Sequence, residues 1–375
     1  MSNMQPLLLP VTLESLIKAT WMVVGFIGVL FVSSIMLPGL DRRGYPLPNG
    51  ETKTYKLTGM TFFFLLHILV GIATFGFGLS LTPIIQHFWS LVIIANVIAI
   101  GWALTLYAYG KRSGSVLKST VGHDLPWPSW VKDLWFGNEL NPTWLGVDLK
   151  MFMYQPSLLG VYLIVLSFAY AQYDRHGIIT PQMWCFVGFW FAYLFTHYVK
   201  EEFMLSTWDI TDENFGFMLV WGDLLYLPFF YPLPGFWIVD ETTPFTPAQL
   251  IGLIVFFLIA LTIFRSANWQ KERFKRDPQA NIWGKPAQTI GEKLLVSGWW
   301  GIGRKLNYTG EIGVYISFAL CAGLSHWQPY LLPLSLFLLL TQRAARDDKK
   351  CRAKYGTLWE EYCRTAKFRM IPFIY

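Results

Sequence analysis

The sequence predicts an all-α, polytopic integral membrane protein. Of its 375 residues, 54% are hydrophobic and only 14% are charged, whereas a soluble domain carries about a quarter charged residues. Apolar runs of about 20 residues, the length that crosses a bilayer as a helix, recur along the chain, and most charges lie between them. We therefore expect one membrane domain covering residues 1–375, with about eight to ten transmembrane helices.

Nine apolar segments are candidate spans. They are residues 16–37, 60–81, 89–109, 156–173, 182–199, 215–236, 247–264, 312–324 and 329–340. The first is too long for the apolar part of a cleaved signal peptide, so we interpret it as the first span. The sixth contains Pro228, Pro232 and Pro234, and we expect it to be kinked or broken, as helices that line a cavity at membrane depth are. The last two are short enough to be tilted or broken.

The cations indicate the topology. Segments that follow odd-numbered spans carry most of the Lys and Arg residues, including Arg42, Arg43 and the basic region 265–305. The positive-inside tendency therefore predicts that these segments and the C-terminus face the cytoplasm. The net charge of +6 thus reflects topology rather than nucleic-acid binding. The four cysteines form no metal-spaced cluster and no CxxC, so we expect neither a disulfide framework nor a metal site.

Carboxylates cluster between the fifth and sixth spans. Carboxylates near membrane depth are costly and often functional, and an acid kept protonated in an apolar pocket can donate a proton. Glu202, Asp209 and Asp223 interrupt or flank apolar sequence, which favours such a role for them. The alternative is a solvated acidic loop, which we prefer for Asp212 and Glu213.

Residues 294–311 join the basic region to the last two spans. If the second half of this stretch is helical, Trp300, Arg304 and Tyr308 recur at i, i+4 and i+8 and share one face. An aromatic plane, a guanidinium and a phenol together suit a nucleotide with phosphates. The alternative is an interfacial anchor, with Trp at the membrane boundary and Arg reaching lipid head groups.

The helix of the seventh span is expected to continue into the cytoplasm. Asn268, Lys271 and Lys275 would then lie on one side of it, at i, i+3 and i+7. Two cations one turn apart can hold a phosphate. Taken alone, these lysines are equally explained by the positive-inside tendency.

The tail repeats this regularity. Arg343, Asp347, Cys351 and Tyr355 follow one another at i+4 steps, a combination typical of neither a core stripe nor a plain solvated face. Gly356 is expected to break the helix and end the stripe. The chain has no intact G-x-G-x-x-G motif, so a Rossmann domain is not predicted.

Several motifs in order resemble the sterol reductase family. The C-terminal blocks GWWGIGRKLNYTGE, RDDKKCRAKYGTLWEEY and RMIPFIY carry the resemblance most specifically. The blocks ELNP with DLKMF, EEFMLSTWDI with FGFML, and FRSANWQK match further upstream. The family comprises delta-14, 7-dehydrocholesterol and delta-24(24(1)) sterol reductases and the membrane domain of lamin B receptor.

The resemblance implies a membrane enzyme whose C-terminal half binds NADPH on the cytoplasmic side, next to a sterol pocket open to the bilayer. It divides the chain into N-terminal helices, residues 1–199, and a catalytic and NADPH-binding half, residues 200–375. Carried over position by position, the cofactor contacts fall on Lys271, Lys275, Trp300, Arg304, Asn307, Tyr308, Arg343, Asp347 and Tyr355. The membrane is the endoplasmic reticulum of a eukaryote or the inner membrane of a bacterium.

The implied activity is NADPH-dependent reduction of a sterol carbon–carbon double bond, by protonation and then hydride transfer. Glu202 or Asp209 is the expected proton source, with Tyr308 as a relay. The motifs slightly favour the delta-24(24(1)) side-chain bond, and delta-7 or delta-14 ring reduction is the alternative. A non-catalytic sterol-binding scaffold is a further alternative, although the cofactor positions are largely filled. A transporter is disfavoured because the sequence shows no internal repeat, and an isoprenylcysteine methyltransferase because it would not explain the ELNP and TWDI blocks.

Overall fold

A computed structural model describes residues 7–48, 50–113 and 125–374. The chain forms two compact units. The first comprises the described parts of Met1–Ile179 together with Trp190–Gly235, and the second comprises Thr180–Phe189 and the described part of Phe236–Tyr375. Both are predominantly helical, with only short two-stranded hairpins, so the prediction of an all-α membrane fold is confirmed.

The first unit contains most of the N-terminal helices. Its elements are α1 (Leu13–Met36), β1 (Leu40–Arg43), β2 (Thr54–Leu57), α2 (Gly59–Gly71), α3 (Thr82–Gln86), α4 (Phe88–Ser113), α5 (Ser129–Phe136), β3 (Thr143–Trp144), β4 (Val147–Asp148) and α6 (Leu149–His176). Helix α7 (Pro181–Val199) begins in the second unit and ends in the first. The first unit then continues through a 3₁₀ turn (Glu201–Ser206), α8 (Trp208–Thr211), α9 (Phe217–Trp221) and a π-helical segment (Gly222–Phe230).

The second unit holds the C-terminal elements, the first of which begins at Gly235, the last residue of the first unit. They are α10 (Gly235–Val239), α11 (Pro247–Arg276), β5 (Asn281–Ile282), β6 (Lys285–Pro286), β7 (Thr289–Ile290), β8 (Leu294–Leu295), α12 (Trp299–Ile302), α13 (Leu306–Leu320), α14 (Leu331–Tyr355) and α15 (Thr357–Thr365). Antiparallel pairing joins β1 to β2, β3 to β4, β5 to β6 and β7 to β8.

Five helices within the described ranges are long and apolar enough to cross a membrane. They are Leu13–Met36, Gly59–Gly76, Phe88–Arg112, Leu149–His176 and Pro247–Arg276. Each covers or overlaps one of the nine predicted spans. The other predicted spans correspond to α7, to the broken stretch around α9 and α10, to the short α13 and to the first part of α14.

The predicted break in the sixth span is confirmed. In place of one helix, the chain forms α9, then the π-helical segment with Pro228 inside it, and then α10. Proline removes a backbone donor and clashes with the preceding turn, and π-helical segments frequently mark functional sites. Asp223 lies in this segment and is buried.

The helix that continues beyond the seventh span is also confirmed. A capping box between Thr246 and Gln249 starts α11, with Pro247 in its first turn, where a missing backbone donor costs nothing. The helix then runs without a break to Arg276. Lys271 and Lys275 therefore lie one turn apart on a rigid element.

Helix α13 packs closely against α11 because glycines face the contact. A Cβ atom on Gly310 would fall against the backbone of Ala260 and Phe264, and one on Gly313 would lie 2.9 Å from the Ala260 methyl group. Small residues let two helix backbones approach in the absence of side chains between them. This approach brings the start of α13 beside the lysine-bearing end of α11.

Candidate active site

Three lysines converge in the second unit. Lys271 lies close enough to Lys275 and Lys305 for their positive charges to repel. Lys305 precedes α13 and is 7% exposed. Like charges held close together around a buried lysine are costly. Such a cluster therefore indicates a site for an anion with several negative charges.

Lys305 is held by an ion pair with Asp347 of α14. Burial acts to lower the pKa of Lys305, but the neighbouring Tyr308 and the Asp347 carboxylate together raise it above its ordinary value. Burial acts in the opposite sense on the pKa of Asp347, and Lys305 outweighs it, so that this pKa is lowered. Both groups are therefore charged at neutral pH. Lys305 was not predicted from the sequence, in which its only signal is its position between Arg304 and the Asn307–Tyr308 pair.

The helical face predicted for Trp300, Arg304 and Tyr308 is wrong. Helix α12 ends at Ile302, Gly303 is extended with φ −158° and ψ 151°, and α13 begins at Leu306. Gly303 instead forms a parallel bridge with Phe368 of the C-terminal segment. The three side chains are thus placed by two short helices and the link between them rather than by one continuous helix.

Trp300 lies in a small hydrophobic core. Its indole N–H donates to the carbonyl of Ala267 at 2.9 Å, and the Nζ atom of Lys271 lies 4.8 Å from the ring centroid. The side chain packs with Phe274, Ile282 and other apolar residues. The indole N–H and the ring of Trp300 therefore already have partners within the protein.

Arg304 also has partners within the protein. Its Nη1 donates to the carbonyls of Ala366 at 2.7 Å and Lys367 at 3.2 Å, and its Nε lies 3.7 Å from a carboxylate oxygen of Asp348. The residue is 8% exposed. Contact of Trp300 or Arg304 with a cofactor remains a prediction.

Asn307 and Tyr308 open α13 beside the lysines. The Asn307 amide donates to Oδ1 of Asn268 at 3.1 Å. Its own Oδ1 is buried and has no hydrogen-bond partner among the described residues. Lys305 lies 5.7 Å from the centre of the Tyr308 ring, and the positive charge of Arg343 also acts on the phenol. An open acceptor, a phenol and several cations therefore adjoin one another.

The stripe predicted on the tail helix is confirmed as helical. Arg343, Asp347, Cys351 and Tyr355 all lie in α14, which ends at Tyr355 because Gly356 has a φ of +55°. The Tyr355 ring stacks on Trp359 of α15 with centroids 6.5 Å apart. The stripe therefore ends with α14 at Tyr355, and the residues after Gly356 belong to a second helix, α15.

In the first unit, the ELNP and TWDI blocks are bonded to one another. The Asn141 amide donates to the Ile210 carbonyl at 3.1 Å. The buried Lys150 ammonium donates to the carbonyls of Asp209 and Glu213, both at 2.6 Å. Lys150 is 1% exposed, and its bonds hold the acidic loop in place.

The two carboxylates predicted as proton sources have different surroundings. Glu202 pairs with the half-exposed Arg42 at 3.3 Å. Asp209 accepts from the Tyr154 hydroxyl at 3.4 Å and lies near the charges of Lys150 and Asp223. The structure therefore distinguishes two acids that the sequence treated alike.

A third acid, Glu201, was not singled out by the sequence. Its carboxylate accepts from the Gly59 amide at 2.9 Å and from the Gln155 amide at 2.8 Å. The residue is 6% exposed, and burial raises its pKa to about 7. It lines a cavity of about 160 Å³ together with Tyr55 and Asp148. The Glu-Glu pair was visible in the sequence, but nothing local showed which member was buried.

The whole chain is similar to known sterol reductases. Residues 3–375 match the family described as "Ergosterol biosynthesis ERG4/ERG24 family". A Delta(14)-sterol reductase of Arabidopsis thaliana is 37% identical over 98% of this chain and 98% of its own length. A Delta(14)-sterol reductase of Methylotuvimicrobium alcaliphilum is 36% identical over 95% of this chain and 84% of its own.

A more divergent relative has another name. A probable 7-dehydrocholesterol reductase of Acanthamoeba polyphaga mimivirus is 30% identical over 89% of this chain and 75% of its own length. The family match covers nearly all residues, and the relatives align over most of their lengths. The chain therefore belongs to the ergosterol biosynthesis ERG4/ERG24 family of membrane sterol reductases.

Proposed function

We propose that this chain reduces the delta-14 double bond of a membrane sterol, with NADPH as the reductant. The observation that carries the proposal is the cluster of Lys271, Lys275 and the buried Lys305 beside the open amide oxygen of Asn307. NADPH carries three phosphate groups, which need cations, and an amide, which needs a hydrogen-bond acceptor. The residues present therefore fit this cofactor.

The choice of the sterol double bond depends on the reactions for which the relatives are named. The motifs slightly favoured the delta-24(24(1)) side-chain bond, but the plant and bacterial relatives at 37% and 36% identity are both named for delta-14 reduction. The viral relative, at 30%, is named for the delta-7 bond. Delta-14 reduction is therefore the primary proposal, and delta-7 reduction is the alternative.

We assign the cofactor's polar contacts to the cluster and its neighbours. Lys271 and Lys275 would bind phosphate as point charges from one side of α11, and Arg343 would bind it from α14 as a planar donor. Asp347 would hold Lys305 in place. Tyr355, Trp300 and Arg304 complete the set implied by the resemblance.

The chemistry requires a proton as well as a reductant. An isolated alkene accepts hydride poorly, so an acid of the protein protonates it first. When bound, NADPH would supply the hydride. Asp209 is the preferred proton source, because Glu202 is engaged by Arg42. Tyr308, which adjoins the lysine cluster, is the candidate relay.

We also propose the orientation and the division of labour. The C-terminus and the lysine cluster would face the cytoplasm, because cations concentrate in the segments after odd-numbered spans. Residues 200–375 would contain the catalytic and NADPH-binding functions, and residues 1–199 would form the supporting N-terminal helices.

The test is conversion of sterols by membranes that contain the chain. Sterols unsaturated at delta-14, delta-7 and 24(28) are offered with NADPH, and products are separated by mass spectrometry. Loss of the delta-14 bond alone is the expected result. Reduction of a different bond would reassign the substrate, and absence of NADPH binding would overturn the reductase proposal for this chain.

The acids are tested in the same assay. Asp209→Asn is expected to bind NADPH normally and to lose most turnover, whereas Glu202→Gln is expected to keep most of it. Full turnover by Asp209→Asn would remove Asp209 from the mechanism.

A further inference from the structure

The C-terminal segment, residues 366–371, is tied to the start of α13. The backbone amide of Arg304 donates to the Phe368 carbonyl at 2.9 Å. Its guanidinium binds the carbonyls of the two preceding residues, Ala366 and Lys367. A buried guanidinium that satisfies several backbone acceptors fixes both partners, because losing these bonds would strand a buried charge.

The same segment inserts a side chain between two helices. Met370 is fully buried and packs with Ile312 of α13 and Leu340 of α14, and Tyr308 lies against this cluster. The Thr309 hydroxyl donates to the Met370 carbonyl at 2.8 Å. The terminal segment therefore contacts the residues on either side of the Asn307–Tyr308 pair.

Two adjacent carboxylates on α14 have different partners. One pairs with the lysine cluster and the other with the terminal segment. Asp347 pairs with Lys305. Asp348 accepts from Arg369 at 3.2 Å and faces Arg304. Two consecutive residues of α14 thus connect the terminal segment to the proposed cofactor site.

We propose that residues 366–371 are a strap that sets the positions of Lys305 and Tyr308 for the cofactor. Asp348 and Met370 are then positioning residues, which act through the strap and not by touching NADPH. The inference rests on the proposed binding of NADPH at the lysine cluster.

The kinetic consequence follows from linkage. A loosened strap lowers the fraction of molecules with the cluster in its binding geometry, so that NADPH binds more weakly in proportion. Molecules that do bind have the native arrangement. The KM for NADPH therefore rises, while kcat at saturating NADPH stays close to its original value.

The first experiment tests, in the absence of cofactor, whether residues 366–371 protect the start of α13. Hydrogen exchange is measured on the peptide containing the Arg304 amide, in the full chain and in a chain truncated after Thr365. A control truncation removes only Ile374, which is 80% exposed, and Tyr375. The longer truncation is expected to deprotect the Arg304 amide, and the control is not. Equal protection in all three proteins would overturn the strap.

The second experiment compares neighbouring substitutions in the full chain. Asp348→Asn is expected to raise the KM for NADPH by about tenfold, within the usual range of coupling between sites, and to leave kcat within about twofold. Asp348→Glu is expected to restore part of the affinity. Asp347→Asn, which acts in the cluster itself, is expected to impair NADPH binding without deprotecting the Arg304 amide.

Linkage also requires a reciprocal effect. If the strap favours NADPH binding, saturating NADPH must slow exchange of the Arg304 amide. An unchanged KM in Asp348→Asn, with NADPH bound normally by the wild-type chain, would overturn the strap alone. Failure of the wild-type chain to bind NADPH would overturn the proposed function, and the strap's role for the cofactor with it.

Discussion

Glu201→Gln is expected to stabilise the protein at alkaline pH. The glutamine imitates the protonated acid, and Gln155, whose Oε1 lacks a partner among the described residues, can turn its amide to accept from it. The hydrogen bond from the Gly59 amide is retained. The substitution therefore removes an ionisation and leaves the local bonding intact.

The size of this stabilisation follows from the pKa of Glu201. Burial raises the pKa of Glu201 from 4.5 to about 7. Between these values the folded protein binds more protons than the unfolded chain, so stability is fully present below pH 4.5 and falls as the pH rises toward 7. A shift of this size corresponds to about 3 kcal/mol, an upper value that local rearrangement would reduce.

Thermal unfolding in detergent at pH 5 and pH 8 measures the effect. For a chain of this length, about 3 kcal/mol corresponds to roughly 4 °C in Tm. The wild type is expected to lose about that much between the two pH values relative to Glu201→Gln. Glu202→Gln is the matched control, because Glu202 pairs with the half-exposed Arg42. Equal pH dependence in the wild type and Glu201→Gln would refute the assignment of a buried, largely neutral acid.

Further outcomes are expected at other positions. Lys271→Met removes a half-buried cation and should raise the Kd for NADPH at least tenfold, about the 1.5–3 kcal/mol of a charged hydrogen bond, as measured by fluorescence titration. Gly310→Leu forces a side chain into the backbone of α11 and should lower the Tm sharply, whereas Gly252→Ala, where a Cβ would meet nothing within 4 Å, should be neutral.

The sequence was sufficient where structure depends on local pattern. Apolar runs predicted the helices, and the prolines around Pro228 predicted the break in the sixth span. The i+4 spacing from Arg343 to Tyr355 predicted α14, and Gly356 predicted its end. Each of these follows from helix geometry or from the backbone restrictions of one residue.

The sequence was insufficient where a remote segment supplies the partner. Gly303 leaves the helical conformation and pairs with Phe368, so Trp300 and Tyr308 do not share a helical face. Arg304 resembles a phosphate ligand, yet it binds carbonyls 62 residues away. Helical periodicity carries no information about such partners.

The charged groups likewise show which features the sequence determines and which only the tertiary structure decides. The sequence determined that this is a helical membrane protein with cations gathered near its C-terminal end, because composition and periodicity fix which segments are buried in lipid. Only the tertiary structure decided that Lys305 joins Lys271 and that Glu201, rather than Glu202, is the buried acid. Burial and ion pairing depend on which distant element covers a side chain, and that is settled by packing rather than by the residue's neighbours in the chain.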